Sequence, residues 1–493
     1  MLLDNIAIVG GGTSGLVTAL ILRKTYPQLK IDLIESDKIG IVGVGEGTTE
    51  HWQNFMAHCD ISISELIKET DATFKYGINF DNWNGDGSFY IQSVSSAFNV
   101  ESQTHSKFIY SWLIANGAGP NDLTHKYVEK NLHREPYWSI NQFHFNTFKL
   151  NEFLHRLCEK RNITIIKAEI DNVSLDDQGN IKTLKTTDGR DLTYPFYIDS
   201  TGFHRLLVQK ALGAKWISYS KYLPMNSAIA FPTERTEKIP SWTLSKAMSS
   251  GWLWRIPTQN RYGNGYVFSD QFMDFDRAKE EVEKLYGYEV NVAKQIKFDA
   301  GHLDRSWINN CVAIGLSSSF VEPLEASAIG ATIQQAFFFS TAVASYVPGV
   351  KYAENTFNKE NKELIENILD FVALHYVVKR DDTEFWKFAK TLPKTDSLQE
   401  KLEVFKHKVP GKSDFENRRV MFKEANWILV MHGLGLIPKE VAQRDVDIQA
   451  DHLKDAIKYN IQNLIGPVEP EMEKYISHRD ALQWLMDNPE QMR

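Results

Sequence analysis

Cysteine is scarce in this chain and forms no pattern. Cys59, Cys158 and Cys311 are the only three in 493 residues. They lie far apart and make neither a CxxC pair nor a Cys/His ligand spacing, so no disulfide framework, zinc site or other metal centre is expected. A reducing compartment follows. Charge of one sign is equally scarce. The 55 Lys and Arg against 63 Asp and Glu leave a formal −8, too mild to indicate nucleic acid or an anionic membrane as a partner. Long hydrophobic runs are missing too: the most apolar stretch, Ala326 to Val347, carries Gln334 and Gln335 at its middle and reads as a buried helix rather than a bilayer span. The first strand-like run begins almost at Met1, which leaves no room for the basic and apolar regions of a secretion signal, and the expected location is the cytoplasm.

At 43% hydrophobic and 24% charged residues the composition is that of an ordinary globular protein. The length predicts two or three modules, interleaved or sequential. The chain is organised around IAIVGGGTSG, Ile6 to Gly15, an apolar strand-like run that meets a glycine-rich turn and then a helix-compatible segment. Gly10 and Gly12 allow a tight turn close to a pyrophosphate, Gly15 allows helix and strand to pack, and Thr13 and Ser14 open the helix whose N-terminus faces the phosphates. A second run, IDLIE, ends in Glu35, twenty residues after Gly15. A carboxylate there suits a ribose hydroxyl, so the expected ligand contains the ADP half of FAD or NAD. The glycines alone would fit an ordinary loop; the strand, the helix and the acid around them carry the reading. A second GxGxxG is absent, and with it any sign of a dedicated NAD(P)H site.

Further along, IGIVGVGEGTTEHW, residues 39–52, suits either a flexible turn or an extended strap lying across a ligand, with Val44, Gly45 and Glu46 at its centre. FKYGINFDNW, residues 74–83, reads as a strand in which Lys75, on its own, would be a solvated side chain. Residues 85–145 mix turn chemistry with aromatics such as Phe89, Tyr90, Phe98, Tyr110, Tyr137, Trp138 and Phe143, which suits substrate-facing loops or a small core. A helix is predicted from Phe148 to Lys160, then strand, hairpin and strand with Asp188-Gly189 as a turn. YIDSTGFHRLL, residues 197–207, reads as a strand, a turn at Gly202 and a helix start. In GWLWRIP, Gly251 to Pro257, strand alternation puts Trp252 and Trp254 on one face. The stretch 306–336 holds a buried strand, a small-residue loop, a Pro-initiated turn and an apolar helix. From residue 350 onward the spacing of Leu364, Ile368, Phe371 and Val372 is helical.

Several of these segments together resemble the flavin-dependent halogenases of the tryptophan-halogenase family: GVGEGTTEHW, FKYGINFDNW, YIDSTGFHRLL, the WxWxIP signature in GWLWRIP, and EPLEAS at 322–327. The resemblance covers about four-fifths of the chain and thins after about residue 395. It implies an α/β fold with a Rossmann-like FAD-binding module of the aromatic hydroxylase and halogenase type. That module is discontinuous, built from residues 1–80, 148–215 and 296–347. A substrate-facing module over 81–147 and 216–295 is interleaved with it, and a helical C-terminal region, 348–493, completes the substrate site. The FAD contacts fall on Gly10, Gly12, Thr13, Ser14, Gly15, Glu35, Val44, Gly45, Glu46, Asp199 and Gly315.

The resemblance also implies the chemistry. Reduced FAD, supplied by a separate flavin reductase, reacts with oxygen to give a C4a-hydroperoxide, and a halide attacks it to form hypohalous acid. The halide is held by backbone N–H groups at Ser327 and Ala328; this chain has Ala326, Ser327 and Ala328 where the family usually shows Ser-Thr-Gly. Trp252 and Trp254 keep the organic substrate off the flavin. Lys75 receives the oxidant, as a hydrogen-bonded acid or a haloamine, and Glu325 orients Lys75 or removes the ring proton. The implied substrate is a small electron-rich aromatic, with halide, ring position and oligomeric state, a homo-oligomer included, left open. A FAD-dependent aromatic monooxygenase is the alternative enzyme. Such hydroxylases usually carry Gly-Asp at the strand end where this chain has Gly315-Leu316. A non-catalytic flavin-binding protein is the third reading.

Overall fold

The computed structural model describes residues 3–43, 47–93, 106–117, 132–133, 142–415, 420–465 and 476–489. Val44, Gly45 and Glu46 lie outside the described residues, as do Phe98, Tyr137 and Trp138.

Two sheets set the architecture. The first has six strands in the order Trp307–Ile308, Cys311–Ala313, Tyr197–Asp199, Asn5–Val9, Lys30–Glu35, Thr164–Lys167. All neighbours are parallel except the short edge strand Trp307–Ile308. Strands of a parallel sheet are covered on both faces and read as continuous apolar runs; Ile6 to Val9 and Val312 to Ile314 are accordingly buried. One cover is the helix Thr13–Thr25, buried from Gly15 through Leu22. Against it packs the helix Ser327–Ala342, so the apolar stretch singled out in the sequence is an interior helix. Its Gln335 is buried but satisfied, accepting from the Gly315 N–H at 2.7 Å and donating to Ser318, Ser319 and Asn361. Among the described residues no helix is long and apolar enough to cross a membrane.

The second sheet has seven strands: Lys294–Lys297, Ser227–Glu234, Arg261–Phe268, Gly251–Pro257, Trp242–Met248, Gly77–Asp81 and Phe89–Ser93. Only the pairing of Trp242–Met248 with Gly77–Asp81 is parallel. Behind it stand the C-terminal helices, among them Tyr352–Leu374 and Glu424–Gly433, packed around Phe371, Phe422 and Trp427. The last described helix, His478–Asp487, returns to the start of the chain: the Phe74 N–H donates to His478 Nε2 at 3.0 Å, and the two rings stack.

Two local readings need correction. The segment after Gly202 does not continue as an ordinary helix. It makes a short widened turn, Leu206–Ala211, with five-residue hydrogen bonds such as Lys210 N–H to Arg205 C=O. The Asp199 carboxylate caps this turn, accepting from the Leu207 and Val208 N–H groups at 2.8 and 2.9 Å. Lys75 is not solvated either. It sits between the strands Thr73–Phe74 and Gly77–Asp81 and is 3% exposed.

Candidate active site

The turn after the first strand is built by close approach of backbones. At Gly10 φ is +118° and an added Cβ would lie 2.2 Å from the Ser200 carbonyl oxygen; at Gly15 it would lie 2.0 Å from the Gly10 carbonyl oxygen. Gly12 differs: a Cβ there would meet no protein atom within 4 Å. It caps the helix with no side-chain partner, which leaves the first N–H groups aimed at open space. That space is a cavity of about 1010 Å³, lined by Gly10 through Ser14, by Glu35, by Ile39 through Gly43, and at its far end by Trp252, Trp254, Leu316, Pro323 and Ala328. An anionic pyrophosphate at the helix N-terminus and an extended cofactor along the cavity fit what is present.

Glu35 stands at the near end of the cavity. Burial raises its pKa, but His155 at 3.2 Å and Lys167 at 2.5 Å outweigh burial and hold it below the usual carboxylate range. His155 and Lys167 also line the cavity and escaped the sequence reading, since neither belongs to a motif. Ser14 has a stapling part: its hydroxyl donates to the Ile314 carbonyl at 3.1 Å, tying the first turn to the loop at Gly315. Gly315 itself needs φ of +71°, and a Cβ there would lie 2.3 Å from Ser14 Oγ.

Asp199 is corrected from ligand to scaffold. One carboxylate oxygen accepts from the Thr201 N–H and hydroxyl, the other from the Leu207 and Val208 N–H groups, which fills its acceptor capacity. It is fully buried and shapes the Ser200 to Phe203 loop that lines the cavity.

At the far end, Trp252 and Trp254 project together from the strand Gly251–Pro257, their rings 6.2 Å apart. Gly265 on the neighbouring strand makes the room, since a Cβ there would lie 2.0 Å from the Trp254 ring. Trp252 is anchored by a residue the sequence reading passed over. Glu322, the first acid of EPLEAS, is fully buried and accepts from Trp252 Nε1 at 3.3 Å and from the Tyr376 hydroxyl at 2.5 Å. Among the described residues its other oxygen has no partner, and burial pushes its pKa up to about 8. Glu322 is therefore a neutral acid at neutral pH.

That state has a consequence for stability. The folded chain holds the proton more tightly than an unfolded one, whose Glu titrates near 4.5. The stabilisation is complete below about pH 4.5 and is lost as pH rises through about 8, with a slope of about 1.4 kcal/mol per pH unit in between. Glu322→Gln keeps an acceptor and carries no proton to lose. Urea midpoints measured across this range are expected to fall more steeply with pH for wild type than for the variant; parallel curves would show that Glu322 is already ionised.

Beside the Trp pair begins the helix Ser327–Ala342. Ser327 and Ala328 are its first two residues, so the helix leaves their N–H groups unsatisfied, and the preceding Ala326, at φ +52°, supplies no side-chain cap. Both residues border a pocket of about 10 Å³, together with Gly315, Phe320 and Ile368. That volume admits about one water-sized species.

Lys75 and Glu325 are both buried. Neither lines the large cavity. The Lys75 ammonium donates to the Thr48 carbonyl at 2.7 Å. Desolvation lowers its pKa to about 8, with the fields of Glu325 and Glu50 opposing the fall. Glu325 is 2% exposed and forms no ion pair with Lys75; its partner is His375, with Oε1 2.7 Å from Nε2. Thr48 thus holds the amine, and Glu325 acts on it through space. His375, at the end of the helix Tyr352–Leu374, also escaped the sequence reading, because one His after an apolar helix carries no spacing signal.

Comparison with known proteins agrees with this arrangement. The family model described as tryptophan halogenase matches residues 5–449. Tryptophan 6-halogenase SttH of Streptomyces toxytricini is 30% identical over 456 residues, covering 84% of this chain and 85% of its own. Tryptophan 7-halogenase RebH of Lentzea aerocolonigenes is 28% identical over 531 residues, covering 96% and 98%. Among solved structures, Xcc4156, a flavin-dependent halogenase from Xanthomonas campestris, superposes with a TM-score of 0.87 at 30% identity over 99% of this chain and 98% of its own. Agreement of that extent in sequence and backbone leaves one assignment: the chain belongs to the tryptophan halogenase family and is a flavin-dependent halogenase, using a halide and FADH2 delivered by a separate reductase.

Proposed function

We propose that the protein halogenates a small electron-rich aromatic, indole- or phenol-like, by electrophilic substitution at a site served by Lys75 and Glu325. The observation that carries this reading is a buried Lys and a buried Glu that feel each other's field and stand outside the lining of a cavity that Trp252 and Trp254 border. FADH2, when bound, supplies with oxygen and halide the hypohalous oxidant. The protein's own residues do the rest. The turn at Gly10 to Ser14 binds the dinucleotide, and the free N–H groups of Ser327 and Ala328 hold the halide in a pocket of matching size. Trp252 and Trp254 keep the arene out of the cofactor cavity. With a pKa of about 8, Lys75 is an ammonium in about nine molecules of ten at pH 7. It donates a hydrogen bond to the oxidant and leaves a minor amine fraction able to be halogenated. Glu325 takes the ring proton, a general-base step.

The test is a mass-spectrometric product screen with FAD, a flavin reductase, NADH, oxygen and chloride, bromide or iodide in turn, against pooled indoles, phenols and anilines. A halogen mass shift that depends on the protein is the expected result; hydroxylated products instead would turn the reading to a monooxygenase. On the product so identified, Glu325→Gln is expected to slow halogenation by about 10²- to 10⁴-fold with peroxide release unchanged. An unaltered halogenation rate would leave Glu325 a structural residue.

A further inference from the structure

One wall of the cofactor cavity carries two hydroxyls that the chemistry above does not use. Thr243 and Ser245 stand two residues apart on the strand Trp242–Met248 and so share one face of the seven-stranded sheet, the face that lines the cavity. The rest of that sheet's share of the lining is aliphatic or Trp, as at Ile78, Ala228, Trp252, Trp254 and Val267. Ser245, opposite Trp254 in the register, is fully buried, and its hydroxyl has no partner among the described residues. A buried polar atom left open on an apolar wall calls for a polar atom of the ligand. Thr243 does have a partner, and that partner decides which kind of ligand atom fits.

Behind Thr243 lies His144, fully buried on the short strand Phe143–His144, which pairs with Thr73–Phe74. Thr243 Oγ1 is 2.8 Å from His144 Nε2, and Thr73 Oγ1 is 3.3 Å from Nδ1. Thr73 Oγ1 also stands 2.7 Å from the Pro257 carbonyl oxygen. Two oxygens at that distance need a hydrogen between them, and only the threonine has one to give. Its hydroxyl proton is thereby spent, so Nδ1 is the N–H that donates to Thr73. Burial, helped by the charge of Lys75, holds the imidazole pKa well below 6.5, which keeps the ring neutral. A neutral ring with its proton on Nδ1 has a bare Nε2, and this takes the Thr243 hydroxyl proton. What Thr243 turns to the cavity is then oxygen lone pairs alone.

We propose that Thr243, oriented by His144, accepts a hydrogen bond from a ring N–H of the bound flavin. The turn at Gly10 to Ser14 takes the phosphates, whereas Thr243 stands on the strand beside the two indoles at the far end of the cavity. The isoalloxazine is therefore the part of the cofactor that meets it. That ring offers N3–H in both oxidation states and N5–H only when reduced. The proposal needs flavin binding but not the halogenation reading.

The experiment measures Kd for FAD and, without oxygen, for FADH2 on full-length wild type, Thr243→Val and Thr243→Ser. Thr243→Val is expected to weaken binding about 10-fold, in both forms if N3–H is the donor and in the reduced form alone if N5–H is. Thr243→Ser, which keeps the oxygen, is expected to bind as wild type does. Two cofactor analogues name the atom: the deficit of Thr243→Val is expected to vanish with 3-methyl-FAD in the first case and with reduced 5-deaza-FAD in the second. Wild-type affinity of Thr243→Val for both forms overturns the proposal, as does a deficit that Thr243→Ser shares or that persists with both analogues. Should Thr243→Val fail to fold, wild type alone decides. It is expected to bind one of the two analogues about 10-fold more weakly than the parent flavin, and unchanged affinity for both overturns the proposal. None of these readouts involves an aromatic substrate, so a protein that halogenates nothing in the product screen is tested just as well.

Discussion

Lys75→Ala is expected to abolish halogenated product, by about 10³-fold or more, while the protein still binds FAD and consumes FADH2 and oxygen with release of peroxide. The separation follows from the geometry. Lys75 lies outside the lining of the cofactor cavity, and its ammonium donates to the Thr48 carbonyl. Removing the amine therefore leaves the dinucleotide turn and the halide pocket untouched. The substitution also relieves a buried cation of its desolvation cost and leaves a carbonyl short of a donor, opposing changes of about 1–3 kcal/mol each, so the fold is expected to survive. Liquid chromatography with mass detection reads the product, and a peroxide assay reads the uncoupled flux. Normal product yield from Lys75→Ala would remove the residue from the mechanism. Lys75→Met, which restores volume without the amine, is expected to behave as Lys75→Ala.

The second large effect concerns the cofactor. Gly10→Ala puts a side chain where φ is +118° and the Ser200 carbonyl oxygen is 2.2 Å away. The backbone of two adjacent strands has to separate, and we expect FAD affinity to drop by more than about 100-fold, equivalent to about 2.7 kcal/mol, with a lower melting temperature even without flavin. Gly12→Ala is the informative partner. Its Cβ meets no protein atom within 4 Å, so the flavin-free melting temperature should stay at the wild-type value while the stabilisation conferred by added FAD is lost. If both variants lose apo stability equally, the cavity is not open at Gly12; if neither loses FAD binding, the dinucleotide lies elsewhere.

What could be read from the sequence divides along a physical line. Elements with a local signature were legible: the glycine turn between a strand and a helix, the Trp alternation on one strand, the apolar interior helix, the helical C-terminal region and the α/β class that they imply. Contacts made at long sequence separation were not. The spacing of Lys75 and Glu325 says nothing about the Thr48 carbonyl that holds one or the His375 ring that holds the other. Glu322 sits three residues from Glu325, yet only burial and the Tyr376 and Trp252 donors distinguish its neutral, anchoring part from that of its neighbour. Asp199 was marked as a flavin contact by the resemblance alone, and its carboxylate is taken up by four local donors. The residues that name the substrate left no motif, because an aromatic pocket is a matter of shape assembled from many segments.

The order of strands in the first sheet also governs how the chain can be made. Asn5–Val9 is a central strand, and its neighbour Tyr197–Asp199 leaves the ribosome nearly two hundred residues after it, followed after another hundred by Cys311–Ala313. Until then the nascent chain carries an apolar parallel strand with an open edge, the kind of intermediate that favours aggregation. His478 closes on Phe74 only after 404 further residues have been made. Slow synthesis at low temperature and ample chaperone capacity should therefore raise the yield of folded enzyme more than any change to its finished surface.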